Sequence, residues 1–363
     1  MNIKGNTIRK TTIFIILLSI SAINLQGQSK SIAKIDSLLT ELTSEDLFSG
    51  SVLIADSSKI LLCKGYGFSD RENKVKNTPY TRFDLSSGSK IFTGTAITYL
   101  AQQGKIKFTD TIDKYIKGLP KGNIITIHQI LTHSAGFDDF YKAEGFSYDN
   151  VKNCTDIIPF MRKLPLVYNP GDSCIYSTGD AIVLGAVVEE ITGMDFQDYI
   201  KKLFIDPLDL KNTCFTPYWT LNESQRQYAI GYRKIDSTTY ERNKYDYDYG
   251  FIPLSAGGAW SSVMDLYAFD KAVFLGKIIN EDYLKVMTTG YTPQWETCHF
   301  GYIWIVDDTN THCIGHAGNS SGWNTWNYYY PEQKVTIIIL TNFGSVDVFD
   351  LSAKIDNIMF KLE

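Results

Sequence analysis

The chain has 363 residues, 35 basic and 40 acidic, for a formal charge of −5, and 44% of it is hydrophobic. A net acidic chain offers no electrostatic reason to bind nucleic acid or an anionic membrane. Its six cysteines, at positions 63, 154, 174, 214, 298 and 313, form no Cys-x-x-Cys and no zinc spacing, so neither a metal nor another cofactor is expected. At the N-terminus, residues 2–10 carry three positive charges, 11–25 are mostly apolar, and Gln26-Gly27-Gln28 matches an export cleavage region. The reading is a signal peptide over 1–27, whose apolar part falls short of the roughly 20 residues needed to span a bilayer. The mature protein, 28–363, is then periplasmic or secreted without stable membrane insertion. Losing Lys4, Arg9 and Lys10 with no acid takes its charge to −8. Export would permit disulfides, and free buried thiols are equally compatible with the pattern.

No repeat, low-complexity tract or Pro/Gly/Ser-rich linker divides the remainder, which predicts one domain. Apolar periodicity predicts a helix at 31–44, strands near 50–56 and 59–67, and a helix from 88. Helical or loop segments follow to about 285. Strand-like runs come near 299–306, 312–317, 323–330 and 334–341, then an amphipathic helix from 346 to 361. First and last elements join in one sheet, giving a sheet lobe of about 30–85 and 290–363 and a helical or loop lobe of about 86–289.

Three short polar motifs carry chemistry. Ser87-Gly88-Ser89-Lys90 follows Arg82-Phe83-Asp84-Leu85 and opens an apolar helical run from Ile91 to Leu100. Ser87 is thus expected at a helix N-terminus, where unpaired amides favour developing negative charge. Lys90, three residues on, shares its face, and an amine in a partly desolvated cleft can accept the serine proton. Alone the spacing says little, since Ser31-Ile32-Ala33-Lys34 also has it on an ordinary amphipathic helix. The case rests on the later Tyr176-Ser177-Thr178 and His316-Ala317-Gly318. His312 and His316 do not form a metal pair, because four residues along a strand span about 13 Å.

With these motifs, and with Phe48-Ser49-Gly50-Ser51, Lys64-Gly65-Tyr66-Gly67, Leu131-Thr132-His133-Ser134-Ala135-Gly136, Pro170-Gly171 and Ala256-Gly257-Gly258-Ala259-Trp260, the chain resembles the serine β-lactamase and penicillin-binding-protein superfamily. The likeness is to its class C-like branch of carboxypeptidases, D-aminopeptidases and esterases. It implies an α+β, two-lobed fold in which an antiparallel sheet is flanked by the terminal helices and an all-helical region is inserted. The cleft would gather Ser87 and Lys90 from the helical side, Tyr176 from a loop and His316 from the sheet edge. Ser87 resembles the acylating nucleophile, Lys90 its partner amine, and Tyr176 the proton-shuttling tyrosine, its phenol pushed towards phenolate by the facing ammonium. The likeness also places an oxyanion hole at the backbone amides of Ser87 and Asn319, with His316, Gly318 and Thr178 completing the substrate site. His133 is expected to make structural hydrogen bonds in its turn.

Two departures bear on specificity. His316 stands where lysine is common, removing a fixed positive charge that would hold a substrate carboxylate. Thr178 replaces asparagine, exchanging an amide for a hydroxyl of shorter reach. The expected function is an exported serine hydrolase of a small ester, a peptide containing a D-amino acid or a peptidoglycan-derived substrate, with weak β-lactam turnover. A catalytically silent or single-turnover binding protein is the alternative. Loops 137–150, with Phe137, Phe140, Tyr141, Phe146 and Tyr148, and 215–255, with Tyr218 and Trp219, could line an aromatic substrate wall or pack onto their lobe.

Overall fold

The computed structural model describes residues 28–217, 228–236, 239–243, 252–295, 297–309 and 311–361. The expected signal peptide, residues 1–27, and the loop residues Tyr218 and Trp219 lie outside them. Helix α1 (residues 28–44) leads into β1 (Gly50–Asp56) and β2 (Ile60–Tyr66). The later strands are β3 (Thr292–Trp295), β4 (Cys298–Phe300), β5 (Ile305–Asp307), β6 (Cys313–Asn319), β7 (Asn324–Tyr330) and β8 (Val335–Thr341). They form one eight-stranded antiparallel sheet in the order β2-β1-β8-β7-β6-β5-β4-β3. The fold is α+β as expected, with early and late chain joined by the β1–β8 pairing, Gly50 opposite Thr341.

Both sheet faces are covered, which is why the central strands read as unbroken apolar runs. Val52 and Ile54 of β1, with Ile337 and Ile339 of β8, pack against Ile35 and Leu39 of α1 and Leu351 and Ile355 of the last helix, α6 (Val348–Phe360). Leu53, Ala55, Ile338 and Leu340 face the other way, into a core shared with the helices. Those helices are α2 (Lys90–Gln102), α3 (Ile127–Leu131), α4 (Thr178–Thr192) and α5 (Val263–Phe274). Apart from Tyr99, α2 is buried from Lys90 to Ala101, the signature of a helix with no solvent face.

The expected strand at 299–306 is two strands. Gly301 to Trp304 form a tight turn, closed by Gly301 N–H donating to the Trp304 carbonyl at 2.8 Å, with Ile303 at φ 68°. Those apolar residues are driven onto α2: Trp304 Nε1 donates to Thr95 Oγ1 at 3.3 Å. A Cβ on Gly94 would lie 2.3 Å from the Tyr302 carbonyl, so glycine lets the turn dock. None of the six cysteines is in a disulfide.

Asp270 of α5 is buried against β7, where its Oδ1 accepts from Asn327 Nδ2 at 3.2 Å. Burial raises its carboxyl to about 8. Asp356, also raised by burial, to about 7, accepts from Tyr330 Oη on the opposite face. The folded chain keeps these protons over a range where the unfolded chain, with an ordinary value of about 4, has released them. The contribution of these two carboxyls to stability therefore falls as pH rises from about 4 towards 8. In Asp270→Asn the loss of melting temperature between pH 5 and pH 8 should be smaller than in wild type; equal losses would show that the carboxyl titrates normally.

Candidate active site

Ser87 sits on a strained turn. Ser86, just before it, has φ 48°, a left-handed conformation that costs a residue with a side chain about 1–2 kcal/mol. The turn is held by Ser86 N–H donating to Asp84 Oδ1 at 2.7 Å, Ser89 Oγ donating to the Ser86 carbonyl at 2.7 Å, and Gly88 N–H donating to the Leu85 carbonyl at 2.8 Å. Ser87 thus lies in a short 3-10 turn, Ser86–Ser89, that feeds α2. Its neighbours Ser86, Gly88 and Ser89 are buried while Ser87 itself keeps access to solvent.

Lys90, fully buried, donates from Nζ to Ser87 Oγ at 3.0 Å and to the Ala256 carbonyl. Burial brings its ammonium down to about 7, with Asp139 pulling weakly the other way. A neutral amine is therefore available beside the hydroxyl at physiological pH.

Tyr176 lies across this pair, Lys90 Nζ being 5.0 Å from its ring centroid. The ring is wedged between His133, at 4.9 Å, and Phe300, at 6.1 Å and stacked. The expected drift towards phenolate does not occur. Burial pushes the phenol well above its ordinary value, outweighing the opposite pull of Ser87. Of the two groups beside Ser87, the Lys90 amine is therefore the one brought towards its free form near neutral pH, while Tyr176 keeps its proton.

His133 makes the structural bonds expected of its turn. Its carbonyl accepts from Tyr168 Oη at 2.7 Å and Ile175 N–H at 3.2 Å. Its imidazole Nδ1 also meets Asp180 Oδ2 at 2.9 Å. Burial lowers the imidazole and raises the carboxyl, each away from its charged form, and the pair props Tyr176 from behind.

Strand β6 supplies the other wall. It is paired with β5 only through Cys313 to Gly315; from His316 to Asn319 its partner is β7, so the third motif runs along an open edge. Gly318 is where this edge meets the nucleophile turn. A Cβ there would lie 2.1 Å from the Leu85 carbonyl and 2.8 Å from Gly88 N. Thr325 Oγ1 of β7 donates to the same carbonyl at 3.2 Å. His316 is buried, and burial together with Lys90 depresses its imidazole to about 3, so it is neutral at physiological pH. The Asn319 side chain donates to Asn324 Oδ1 across the hairpin.

Ser87, Tyr176, His316, Gly318 and Asn319 line one cavity of about 540 Å³. Thr178 does not line it. It opens α4, and its backbone N–H and hydroxyl both donate to Asp139 Oδ1, at 2.9 and 2.5 Å. Asp139, which sequence reasoning passed over, also accepts from Tyr141 Oη at 2.6 Å and is the carboxylate that acts on Lys90. The loop aromatics pack on one another, Phe140 at 5.1 Å from Phe146 and Phe146 at 4.9 Å from Tyr148, rather than lining this cavity. His312 bonds Asp308 Oδ1 at 2.6 Å and plays no part in the site. Among the described residues no group of three His, Cys, Asp or Glu could hold a metal ion.

A serine with a buried amine at hydrogen-bond distance, a phenol across it and strand-edge amides beside it is the equipment of a serine hydrolase. The chain belongs to the Beta-lactamase family, whose sequence profile matches residues 35–356. PbpX of Bacillus subtilis (strain 168), whose name assigns it to the penicillin-binding proteins, is 27% identical over 296 residues, 81% of this chain and 71% of that one. Protein flp of Staphylococcus aureus (strain MW2) is 26% identical over 306 residues, again 81% of this chain but only 59% of the relative's length. The D-amino acid amidase of Ochrobactrum anthropi SV3, solved with L-phenylalanine amide, superposes with a TM-score of 0.77 at 18% identity over 91% of this chain and 99% of that one, a likeness of fold.

If neutral Lys90 is the base, kcat/KM should rise with pH through about 7. Asp139→Asn removes the interaction that favours the ammonium, so this acidic limb should move to lower pH; an unmoved limb would detach Asp139 from Lys90. Gly318→Ala, which must push β6 off the nucleophile turn, should cost on the order of a hundredfold in kcat, as losing an oxyanion donor does. Near-normal turnover would show that the close approach is dispensable.

Proposed function

We propose that residues 28–363 act as one exported catalytic domain that hydrolyses esters, or amides and peptides of D-amino acids, through an acyl-enzyme on Ser87. The observation that carries this reading is the Lys90 amine, buried, lowered to about 7 and 3.0 Å from the Ser87 hydroxyl. Neutral Lys90 takes the Ser87 proton as Oγ attacks the substrate carbonyl. The backbone amides of Ser87 and Asn319 receive the oxyanion. When the tetrahedral adduct collapses, the proton passes from the Lys90 ammonium through the Tyr176 hydroxyl to the departing amine or alkoxide. Water then enters, gives a proton back along the same route, and attacks the acyl carbonyl, which frees the acid and restores the Ser87 hydroxyl. Tyr176 gives one proton and takes another in each pass, so it never has to persist as phenolate.

The penicillin-binding name of the Bacillus relative and the amidase activity named for the Ochrobactrum protein support this substrate range. The neutrality of His316 argues against a firm hold on the carboxylate of a β-lactam. Among the described residues no helix is long and apolar enough to cross a membrane.

Intact-mass measurement after exposure to a fluorophosphonate, beside p-nitrophenyl ester turnover, tests the cycle. One adduct per chain that is absent in Ser87→Ala, with steady-state turnover, is expected. A stoichiometric burst without turnover would instead identify a single-turnover acyl-binding protein. Nitrocefin should be hydrolysed more slowly than the ester; equal rates would overturn the argument from His316.

A further inference from the structure

Part of the lining of the Ser87 cavity comes from the end of the connector between β8 and α6 and from the start of α6, residues Gly344 to Phe349. With His316 neutral, Asp347 is the one side chain lining the cavity, among the described residues, that carries a formal charge at physiological pH. Among the described residues that line the cavity there is no lysine or arginine; Lys90 lies behind Ser87, fully buried. Asp347 is also the N-cap of α6, its Oδ1 accepting from Phe349 N–H at 2.9 Å and Asp350 N–H at 3.1 Å. Capping asks for a side-chain oxygen and not for a charge, and asparagine serves as well at this position. The negative charge at the cavity is therefore left over from the structural task.

Phe349 stands beside it, 46% exposed although aromatic, its ring edge-on to Trp326 at 5.4 Å. It also borders a second cavity of about 220 Å³, which contains Asp307 and Asp356. The nearest lysine on α6, Lys354, is spent on Asp350 at 2.7 Å. A carboxylate and an exposed aromatic face make an environment that attracts an organic cation and repels an anion.

We propose that Asp347 and Phe349 form a subsite for a positively charged substrate group, an amine or quaternary ammonium beside an apolar portion, and that this subsite selects against carboxylate-ended substrates. The inference rests on the acyl-enzyme reading for its consequences in turnover, but not for binding. Binding is therefore measured first, on Ser87→Ala, by ligand-observed NMR with phenethylammonium, 2-phenylethanol and 3-phenylpropanoate. Phenethylammonium should bind about fivefold more tightly than the alcohol, the effect of one exposed charge pair, and the carboxylate least. Asp347→Asn, which keeps the cap, should bring the amine and alcohol level, and Asp347→Lys should reverse the order of amine and carboxylate. Equal binding of the three probes to the parent, or a preference for the amine that survives both substitutions, overturns the proposal. In the active chain, the kcat/KM ratio of acetylthiocholine to its uncharged isostere, 3,3-dimethylbutyl thioacetate, reads a cation on the leaving side. The ratio of D-phenylalanine p-nitroanilide to its N-acetyl form reads a cation on the acyl side. At least one ratio should exceed unity and fall in Asp347→Asn; if neither does, the subsite plays no part in selection. Failure of Ser87 labelling would sink the acyl-enzyme cycle while leaving the binding result to stand.

Discussion

The Lys90 amine has been taken out of water, and in exchange the chain gives it two oxygens, Ser87 Oγ and the Ala256 carbonyl. Nearly every other feature of the site follows from keeping it there. Helix α2 must be buried all round, so the neighbouring helices and the sheet close over it. The segment that carries Ala256 must be fastened to the same helix, and Thr93 Oγ1 does so by donating to the Ser255 carbonyl at 2.8 Å. Desolvation disfavours the ammonium, so a larger share of the amine is unprotonated near neutral pH.

The same dryness disarms the other titratable groups. His316 and His133 cannot take up a proton beside Lys90, Asp180 holds on to its own, and Tyr176 resists giving one up. The pocket therefore has few protons that can move, which is what the proposed route through Ser87, Lys90 and Tyr176 requires. Asp139, half-buried at its margin, keeps its charge because Thr178 and Tyr141 bond it, and so it acts as a distant counterweight to the amine.

Much of this was legible in the sequence. The motifs at Ser87, Tyr176 and His316 were found because they are local, and the long strands because period-two burial on both faces leaves an apolar run. What escaped depends on partners far away in the chain. The break at Gly301–Trp304 needs a glycine two hundred residues earlier, Gly94, to be seen as a docking site. Thr178 was read as a substrate contact because its position in the motif said so; that its hydroxyl is taken by Asp139, thirty-nine residues upstream, is written nowhere locally. The Tyr176 phenol was misread because a nearby ammonium is a feature of sequence by analogy, whereas the degree of burial that overrides it is a property of the folded chain alone. Asp347 escaped for the same reason: the expected helix from 346 placed it inside the element, and nothing local says that it caps the helix beside a cavity.

The open half of β6 has a further consequence. An unpaired strand edge is a template on which another chain can add a strand, and proteins blunt such edges by shortening or covering them. Here the exposed stretch is confined to His316–Asn319, closed at one end by β5 and at the other by the turn into β7. Its first residue is buried, and the nucleophile turn abuts Gly318. A second protein strand has no length to grip, while a short extended ligand needs no more than this. The brevity that lets the edge stay open for small molecules also guards the chain against aggregation through its own active site.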